Sequence, residues 1–400
     1  MLNKTMLNLG SNRSVIRELF EYGKKQIELC GAENVYDYSL GNPSVPAPEN
    51  VNINIKKLVD SKTSISLHGY TSAVGDNAVR TAIADDLNRR FGTDYTMSNL
   101  YMTCGAAASL VATIRALVTE AADEIIAIAP FFPEYRPFVE ANGGKFSFVS
   151  ADTENFQVNF DELESKISAR TQGIIVNSPN NPSGTVYNED TIKRIADILN
   201  RKSKEYNKPI YIICDEPYRE LVYDDVIVPF VPNFYDNTIV CYSYSKSLSL
   251  PGERIGYALI PSKCTDATDL YNAIAGAARI CGYVCAPSLM QYVVGACASE
   301  KPDISAYKRN RDLLYNSLTE MGYECAYPAG AFYLFIKAPN GNAGEFSEIA
   351  KKYNLLLVPG DSFECPTYLR AAYCVDYEMI KRSLPAFEKA ILEIKKCSDY

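Results

Sequence analysis

One stretch of the sequence places a lysine and an arginine among hydroxyl groups, directly after an apolar run. It reads Thr238-Ile239-Val240-Cys241-Tyr242-Ser243-Tyr244-Ser245-Lys246-Ser247-Leu248-Ser249-Leu250-Pro251-Gly252-Glu253-Arg254-Ile255-Gly256-Tyr257. The apolar start predicts a buried strand. Most lysines are solvated surface residues, but Lys246 follows the strand end among hydroxyl groups and precedes Arg254 by eight positions, a set suited to holding a phosphate. We therefore predict that Lys246 is the central functional residue.

The sequence on both sides of this stretch alternates between helical and strand-like segments. Short apolar strands that alternate with helices indicate an α/β domain whose mostly parallel sheet is covered on both faces. From about residue 305 the pattern predicts a smaller α+β unit instead. The predicted segments are helices 77–91, 110–120, 191–199 and 306–321, and strands 124–129, 173–177, 210–214, 238–243, 330–336 and 368–374. The expected domains are an N-terminal arm that forms part of the small domain (1–45), a large domain that contains Lys246 (46–290) and a small C-terminal domain (291–400).

Composition excludes several classes of protein. The 400 residues carry a net charge of −8 and no polybasic block, which argues against a nucleic-acid partner. No apolar run approaches the length of a membrane span, and the N-terminus lacks a secretory signal. The 12 cysteines are scattered without a C-x-x-C pair, which favours reduced thiols in a cytoplasmic protein. With a single histidine, His68, neither a histidine-based catalytic triad nor a metal site is expected.

A carboxylate, Asp215, follows the apolar run Ile210–Cys214 and is predicted to lie at the buried end of a strand. Burial of a carboxylate is costly unless a cation or several donors meet it. On its own, Asp215 is equally well explained as the N-cap of a following helix. Together with Lys246 and a phosphate site, it suggests pyridoxal 5′-phosphate, whose aldehyde binds a lysine and whose ring nitrogen pairs with a carboxylate.

Further segments carry polar or aromatic groups that suit the same ligand. Gly105, Ala106 and Ala107 precede a helix, where backbone N–H groups attract an anion, and Ser243 and Arg254 would add side-chain donors. Each segment also has an ordinary explanation. The Gly-Ala turn fits any strand–helix junction, Asn177–Gly184 a pair of tight turns, and Phe132 and Tyr218 core packing. Arg370, in an apolar strand, needs a carboxylate, which a substrate or a structural ion pair would supply equally well.

Taken together, these residues resemble the fold-type I pyridoxal-phosphate enzymes, specifically the class I/II (aspartate aminotransferase) family. The resemblance runs from Gly41-Asn42-Pro43 to Arg370, and its motifs follow the family's order. They are Gly69-Tyr70-Thr71 with Gly75, Gly105-Ala106, Asn181-Pro182-Ser183-Gly184, Asp215-x-x-Tyr218, Ser243-x-Ser245-Lys246 with Arg254, Pro328–Tyr333 and Val358-Pro359-Gly360.

The resemblance implies a seven-stranded sheet, a transaminase activity and a role for each matching residue. Lys246 would form the Schiff base, Asp215 would pair with the ring nitrogen, and Tyr218 would contact the cofactor's O3′. The other cofactor contacts would come from Gly105, Ala106, Ala107, Phe132, Asn181, Ser243, Ser245 and Arg254. Gly41, Asn181 and Arg370 would hold the substrate's α-carboxylate. Tyr70 would reach the phosphate in the neighbouring subunit, which implies a homodimer with shared active sites.

Two positions depart from the family pattern, and other functions remain open. Ala107 stands where many relatives have Lys, Thr or Ser, and Glu364 follows Phe363 where a glycine is usual, so the specificity is not implied. An L-amino acid of the aspartate type and a 2-oxo acid such as 2-oxoglutarate are the family-level expectation. A lyase or decarboxylase of the same fold, or a non-catalytic binding or regulatory protein, is the alternative.

Overall fold

The computed structural model describes residues 2–11, 14–151 and 155–398. Its strands, in chain order, are β1 (Tyr36–Asp37), β2 (Leu100–Thr103), β3 (Glu124–Ile128), β4 (Lys145–Val149), β5 (Thr171–Asn177), β6 (Tyr211–Asp215), β7 (Thr238–Ser243), β8 (Gly256–Leu259), β9 (Cys325–Ala326), β10 (Tyr333–Lys337), β11 (Leu355–Leu356), β12 (Val358–Pro359) and β13 (Tyr368–Ala372).

The helices surround the sheets that these strands form. They are α1 (Lys4–Ser11), α2 (Val15–Cys30), α3 (Glu49–Ser61), α4 (Ser64–His68), α5 (Asn77–Phe91), α6 (Ala106–Leu117), α7 (Tyr135–Ala141), α8 (Phe160–Lys166), α9 (Glu189–Tyr206), α10 (Tyr244–Ser247), α11 (Ala267–Ile280), α12 (Ser288–Ala296), α13 (Ser305–Glu320), α14 (Ala343–Lys351) and α15 (Tyr377–Ser398). In the part of the chain that the structure describes, no helix is both long enough and apolar enough to cross a bilayer.

A seven-stranded sheet with the order β2-β8-β7-β6-β5-β3-β4 forms the centre of the molecule. The strands from β7 to β4 pair in parallel, and β8 runs antiparallel to both of its neighbours. The prediction of a mostly parallel sheet covered by helices is therefore confirmed. Since parallel strands end at the same edge, β5, β6 and β7 bring the residues at their carboxyl ends together.

Successive residues of the central strands point to opposite faces of the sheet, and both faces are buried. Ile212 joins one hydrophobic cluster and Ile213 the other, as expected from the two-residue period of a strand. Helices α6 and α11 pack together on one side, and α3, α5 and α12 on the other. This double burial explains why the central strands are continuous apolar runs rather than alternating ones.

A second sheet is antiparallel, with the order β12-β13-β10-β9. It belongs to the α+β unit predicted for the C-terminal part of the chain. The N-terminal strand β1 pairs in parallel with β11, with Tyr36 opposite Leu355. This pairing supports joining the N-terminal arm to the small domain, and the three domain ranges given above remain a prediction.

Element boundaries differ from the predicted ones where caps and turns, rather than apolar periodicity, set them. Helix α5 matches its prediction, with Asp76 capping the first turn and a left-handed Gly92 ending the helix. Helix α9 is longer than the predicted 191–199, because Asn188 caps it and the left-handed Asn207 ends it. The predicted strand 330–336 was wrong at its start, since Ala331 has a φ of 57° and β10 begins only at Tyr333.

Candidate active site

The carboxyl ends of β5, β6 and β7 open into one cavity of about 190 Å³. Helix α6, the loop before α7 and helix α10 supply the remaining walls. Its lining residues are Ala106, Ala107, Leu110, Phe132, Asn181, Asp215, Pro217, Tyr218, Ser243, Ser245, Lys246, Pro251 and Arg254. Most of the site residues predicted from the sequence thus lie around one space, although they come from segments far apart in the chain.

Lys246 lies on the short helix α10, which begins directly after β7. Its ammonium group donates to the Gly41 carbonyl oxygen at 2.6 Å and lies 5.3 Å from the centre of the Phe332 ring. Burial, together with the positive charges of Arg370 and Arg254, lowers the pKa of Lys246 to about 8. The neutral amine, which is the nucleophilic form, is therefore accessible close to neutral pH.

Asp215 ends β6 inside the sheet and faces the cavity. Tyr135, which the sequence analysis did not single out, donates its hydroxyl proton to Oδ2 at 2.5 Å. The other oxygen, Oδ1, is buried without a hydrogen-bond partner among the described residues. Burial raises the pKa of Asp215 to about 7, and the bond from Tyr135 opposes that increase. The residues after Asp215 form a turn and no helix, so the alternative of a helix N-cap is wrong.

The proposed phosphate corner is formed by helix α6, β7 and the segment after α10. Gly105 has a φ of +88°, and an added Cβ there would lie 3.0 Å from the Arg254 guanidinium. Ser243 caps α10 by accepting the Ser245 backbone N–H, and its hydroxyl lies 2.7 Å from that of Ser245. The Ser245 hydroxyl also accepts a bond from Arg254 at 3.3 Å. Hydroxyl groups, a guanidinium and a helix N-terminus converge here, as an oxyanion requires.

Arg370 lies on β13, with its side chain 2% exposed. It donates to the Asn181 side-chain oxygen at 3.0 Å and to the Ser39 carbonyl at 2.6 Å, while Nε has no partner among the described residues. Its contacts in the described part of the chain are to neutral oxygens, so the structural ion pair considered above is not found. A buried guanidinium without a carboxylate is suited to binding one from a substrate.

Tyr218 lines the cavity, and its hydroxyl oxygen lies 2.8 Å from that of Tyr333. Burial raises the pKa of Tyr218 well above its usual value, and the neighbouring Tyr333 adds to this effect. Both phenols are therefore protonated around neutral pH. Tyr333 was noted in the sequence only as part of the Pro328–Tyr333 motif.

Four predicted residues do not line the cavity in a single chain, namely Gly41, Tyr70, Gly105 and Arg370. The Gly41 carbonyl oxygen accepts the hydrogen bond from Lys246. Gly41 lies outside the cavity lining, and its Cα faces the Tyr333 hydroxyl. Tyr70 has an exposed fraction of 96%, and it contributes nothing to the cavity of its own chain. The role of Tyr70 in a neighbouring subunit remains a prediction.

The two departures from the family pattern have different surroundings. Ala107 lines the cavity and leaves an apolar wall beside Leu110 and Phe132. Glu364 adopts a left-handed conformation with a φ of 60°, and its carboxylate binds Arg136 of α7 at 2.9 Å. This ion pair is partly exposed and connects the segment before β13 to the large sheet's helix layer.

The residues present fit pyridoxal phosphate on evidence from the structure itself. The unpartnered Asp215 Oδ1 needs a donor, which a protonated ring nitrogen would supply. The space beside Gly105 would be closed by any side chain, and donors surround it. Tyr135, which was not predicted as a site residue, binds the other Asp215 oxygen. The signal in the sequence is the need of a buried carboxylate for a hydrogen-bond donor, which a tyrosine close to Phe132 can meet.

Comparison with known proteins gives the same assignment over almost the whole chain. The sequence profile of the family described as "Aminotransferase class I and II" matches residues 25–387. A probable aspartate aminotransferase of Methanocaldococcus jannaschii is 30% identical, covering 93% of this chain and 95% of the relative. An aromatic-amino-acid aminotransferase of Thermococcus litoralis is 28% identical, covering 96% and 97%.

Solved structures agree with the sequence comparison. The crystal structure of an aminotransferase from Eubacterium rectale superposes with a TM-score of 0.97 at 58% identity, covering 98% of this chain and 99% of that one. An aspartate aminotransferase from Thermus thermophilus, solved with maleate, has the same fold with a TM-score of 0.85 at 22% identity, covering 98% and 99%. With the lysine, the carboxylate and the phosphate corner in one cavity, the chain belongs to the class I and II aminotransferases, which are pyridoxal-phosphate-dependent transaminases.

Proposed function

We propose that the chain transfers the amino group of an L-amino acid to a 2-oxo acid such as 2-oxoglutarate, with an aspartate-type amino acid as the first donor to test. The observation that carries the proposal is a set of three residues. Lys246 and Asp215 line the cavity, and Arg370 lies beside it, bonded to the lining residue Asn181. Lys246 has a lowered pKa, Asp215 has an unpartnered oxygen, and Arg370 has no carboxylate partner among the described residues. The cofactor would supply an aldehyde for Lys246 and a protonated ring nitrogen for Asp215. The amino-acid substrate would supply a carboxylate for Arg370.

Lys246 is proposed as the group that binds the cofactor and later moves a proton. Pyridoxal phosphate, when bound, supplies an aldehyde and an electron-withdrawing ring. Once released from the cofactor, the Lys246 Nζ would remain in the same cavity as a neutral amine. There it would take the proton from the substrate's Cα as a general base and return it as a general acid.

Asp215 and Tyr218 are proposed to control the charge on the ring. An ionised Asp215 would hold the ring nitrogen protonated, and Tyr135 fixes the orientation of the carboxylate. Tyr218, which also lines the cavity, would donate to the cofactor's O3′. Phe132 would stack on the ring, and Asn181, whose amide oxygen accepts a bond from Arg370, would offer its NH2 group to the cofactor. Gly105, Ala106, Ala107, Ser243, Ser245 and Arg254 hold the phosphate.

Arg370 is proposed to bind the α-carboxylate, with Asn181 and Gly41 beside it. This contact suits every L-amino acid, so it does not choose among donors. The named activities of relatives differ, since one is a probable aspartate aminotransferase and another an aromatic-amino-acid aminotransferase. The apolar wall at Ala107 lacks a cation for a second carboxylate, so an aspartate-type donor would need one from elsewhere, such as the partner subunit.

A homodimer with shared sites is part of the proposal. Tyr70 is a large, exposed aromatic residue in the loop before α5, and Ile65, five residues earlier, is also exposed. Apolar side chains that are exposed in one chain suit burial against a second copy. The 11 cysteines from Cys30 to Cys374 are free thiols, and the cytoplasmic location expected from the sequence is part of the proposal.

The proposal is tested with purified protein, added pyridoxal phosphate and a screen of amino donors against 2-oxoglutarate. We expect a visible absorbance band that donors convert to the pyridoxamine form, with release of the matching 2-oxo acid. Lys246→Ala should lose the band and the turnover, whereas Lys263→Ala, in an exposed loop, should keep both. A wild type that takes up no cofactor contradicts the proposal, and decarboxylation without the pyridoxamine form would favour the lyase alternative.

A further inference from the structure

Tyr333 has a buried hydroxyl whose surroundings suggest more than packing. Its oxygen lies 2.8 Å from the Tyr218 oxygen, and this is its hydrogen-bond partner among the described residues. The two rings meet edge to face, with centroids 5.7 Å apart. Tyr218 lines the cavity, whereas Tyr333 lies behind it. A tyrosine placed in this way contacts the cofactor site only through another tyrosine.

Two neighbours, Arg370 and Gly41, constrain the position of the Tyr333 ring. The Arg370 guanidinium lies 4.7 Å from its centre, in the geometry of a cation–π contact. Strand β10, which carries Tyr333, pairs with β13, which carries Arg370. An added Cβ at Gly41 would clash with the Tyr333 hydroxyl oxygen. The missing side chain of Gly41 therefore provides the space that the hydroxyl occupies.

Two hydroxyl groups that share one hydrogen bond must divide the roles of donor and acceptor. Burial raises the pKa of Tyr333 to about 12 and that of Tyr218 well above 10, so each oxygen keeps its proton. If Tyr218 donated to Tyr333, its own proton would point away from the cavity. If Tyr333 donates, the Tyr218 proton is free for an acceptor inside the cavity, and a hydroxyl that accepts a bond donates more strongly.

We infer that Tyr333 is a positioning residue, whose hydroxyl donates to Tyr218 and thereby directs the Tyr218 proton to the oxygen at position 3 of the bound cofactor. The inference rests on the proposed function, since it requires pyridoxal phosphate in this cavity. It also gives Gly41 a second role, because any side chain at position 41 would displace the Tyr333 hydroxyl.

The inference predicts a change in titration. A hydrogen bond donated to the cofactor oxygen withdraws negative charge, so the Lys246 nitrogen attached to the cofactor releases its proton more readily. Tyr333→Phe keeps the ring but weakens that bond. We expect the midpoint of the pH-dependent absorbance change of the loaded protein to rise by roughly 0.3–0.7 pH unit. Tyr218→Phe, which removes the donor itself, should produce a larger rise.

The decisive variant combines both substitutions. If Tyr333 acts through Tyr218, the double variant should have the same midpoint as Tyr218→Phe alone. Tyr38→Phe is the matched control, because it removes a buried hydroxyl that bonds Ser383 at 2.7 Å, away from the cavity. Tyr38→Phe should lower the thermal stability by about as much as Tyr333→Phe does. It should leave the midpoint of the pH-dependent absorbance change as in the wild type.

Two results would overturn the inference while leaving the proposed function intact. One is a Tyr333→Phe protein that binds cofactor and titrates like the wild type. The other is a pair of shifts that add in the double variant, because Tyr333 would then act independently of Tyr218. Both are distinct from a wild type without any cofactor band, which contradicts the proposed function itself.

Discussion

The ammonium group of Lys246 donates a 2.6 Å hydrogen bond to the carbonyl oxygen of Gly41, a residue 205 positions earlier in the chain. The bond joins the segment after the central strand β7 to the loop that follows β1. A backbone carbonyl is a neutral partner, so the lysine is oriented without a carboxylate that would keep it charged. Its lowered pKa follows from burial without such compensation, and this pKa is open to measurement.

The capture of pyridoxal phosphate by the cofactor-free protein should increase with pH around a midpoint near 8, the pKa of Lys246. Only the neutral amine attacks the aldehyde, with loss of water, so the initial rate should fall about tenfold for each pH unit below that midpoint. Borohydride trapping and mass spectrometry would follow the adduct, with Lys246→Ala as the control. A midpoint near that of an ordinary lysine would contradict the prediction.

Asp215 should make the cofactor-free protein less stable as the pH rises. Its pKa is about 7 in the folded state, above the value of 3.8 for an ordinary aspartate. A group with a raised folded-state pKa contributes stability that is present below pH 4 and lost as the pH rises through about 7. Relative to Asp215→Asn, the free energy of unfolding of the wild type should therefore fall by on the order of 2–4 kcal/mol across this range.

Urea unfolding of the cofactor-free proteins at pH 4, 5.5, 7 and 8 would measure that difference. Asp197→Asn, at an exposed position on α9, is the matched control and should follow the wild type at every pH. A difference between wild type and Asp215→Asn that stays constant over the range would show that the carboxylate titrates normally.

Arg370 substitutions should impair the use of amino acids and spare the cofactor. Arg370→Lys keeps the charge and loses the planar pair of donors, so kcat/KM should fall roughly 10- to 100-fold. Arg370→Gln should fall further, while the visible band of the bound cofactor persists. Steady-state kinetics with the best donor would measure the change, and Arg201→Lys, at a surface ion pair, is the control. Loss of cofactor binding in Arg370→Lys would argue for a structural role instead.

The proposed homodimer, with active sites shared between subunits, predicts complementation. Mixed dimers of Lys246→Ala and Tyr70→Ala chains would contain one site with both wild-type residues, because Tyr70 of the first variant serves Lys246 of the second. After unfolding and refolding together in equal amounts, activity should reach about a quarter of the wild-type value. If the mixture only matches the average of the two separate variants, Tyr70 acts within its own chain.

The sequence carried enough information for the large domain because burial on both faces leaves a clear pattern. Runs such as Ile210–Cys214 are apolar throughout, and a polar residue at their end, Asp215, stands out against them. The start of β10 was misjudged because the positive φ of Ala331 leaves no apolar signal. Helix α9 was predicted too short because its buried apolar residues end at Leu199. The residues after Leu199 carry no apolar periodicity, and the left-handed Asn207 ends the helix.

The sequence by itself determined the order of the elements. It also identified cavity residues that lie at the ends of strands or the beginnings of helices, such as Ser243, Lys246 and Ala106, because short local patterns predict both the strands and the polar or small residues that follow them. Only the tertiary structure decided which distant groups complete them. Tyr135 meets Asp215, Gly41 meets Lys246, and Tyr333 meets Tyr218, across separations of 80, 205 and 115 residues. Such contacts depend on how sheets and loops pack, and packing leaves no periodic signal in the chain.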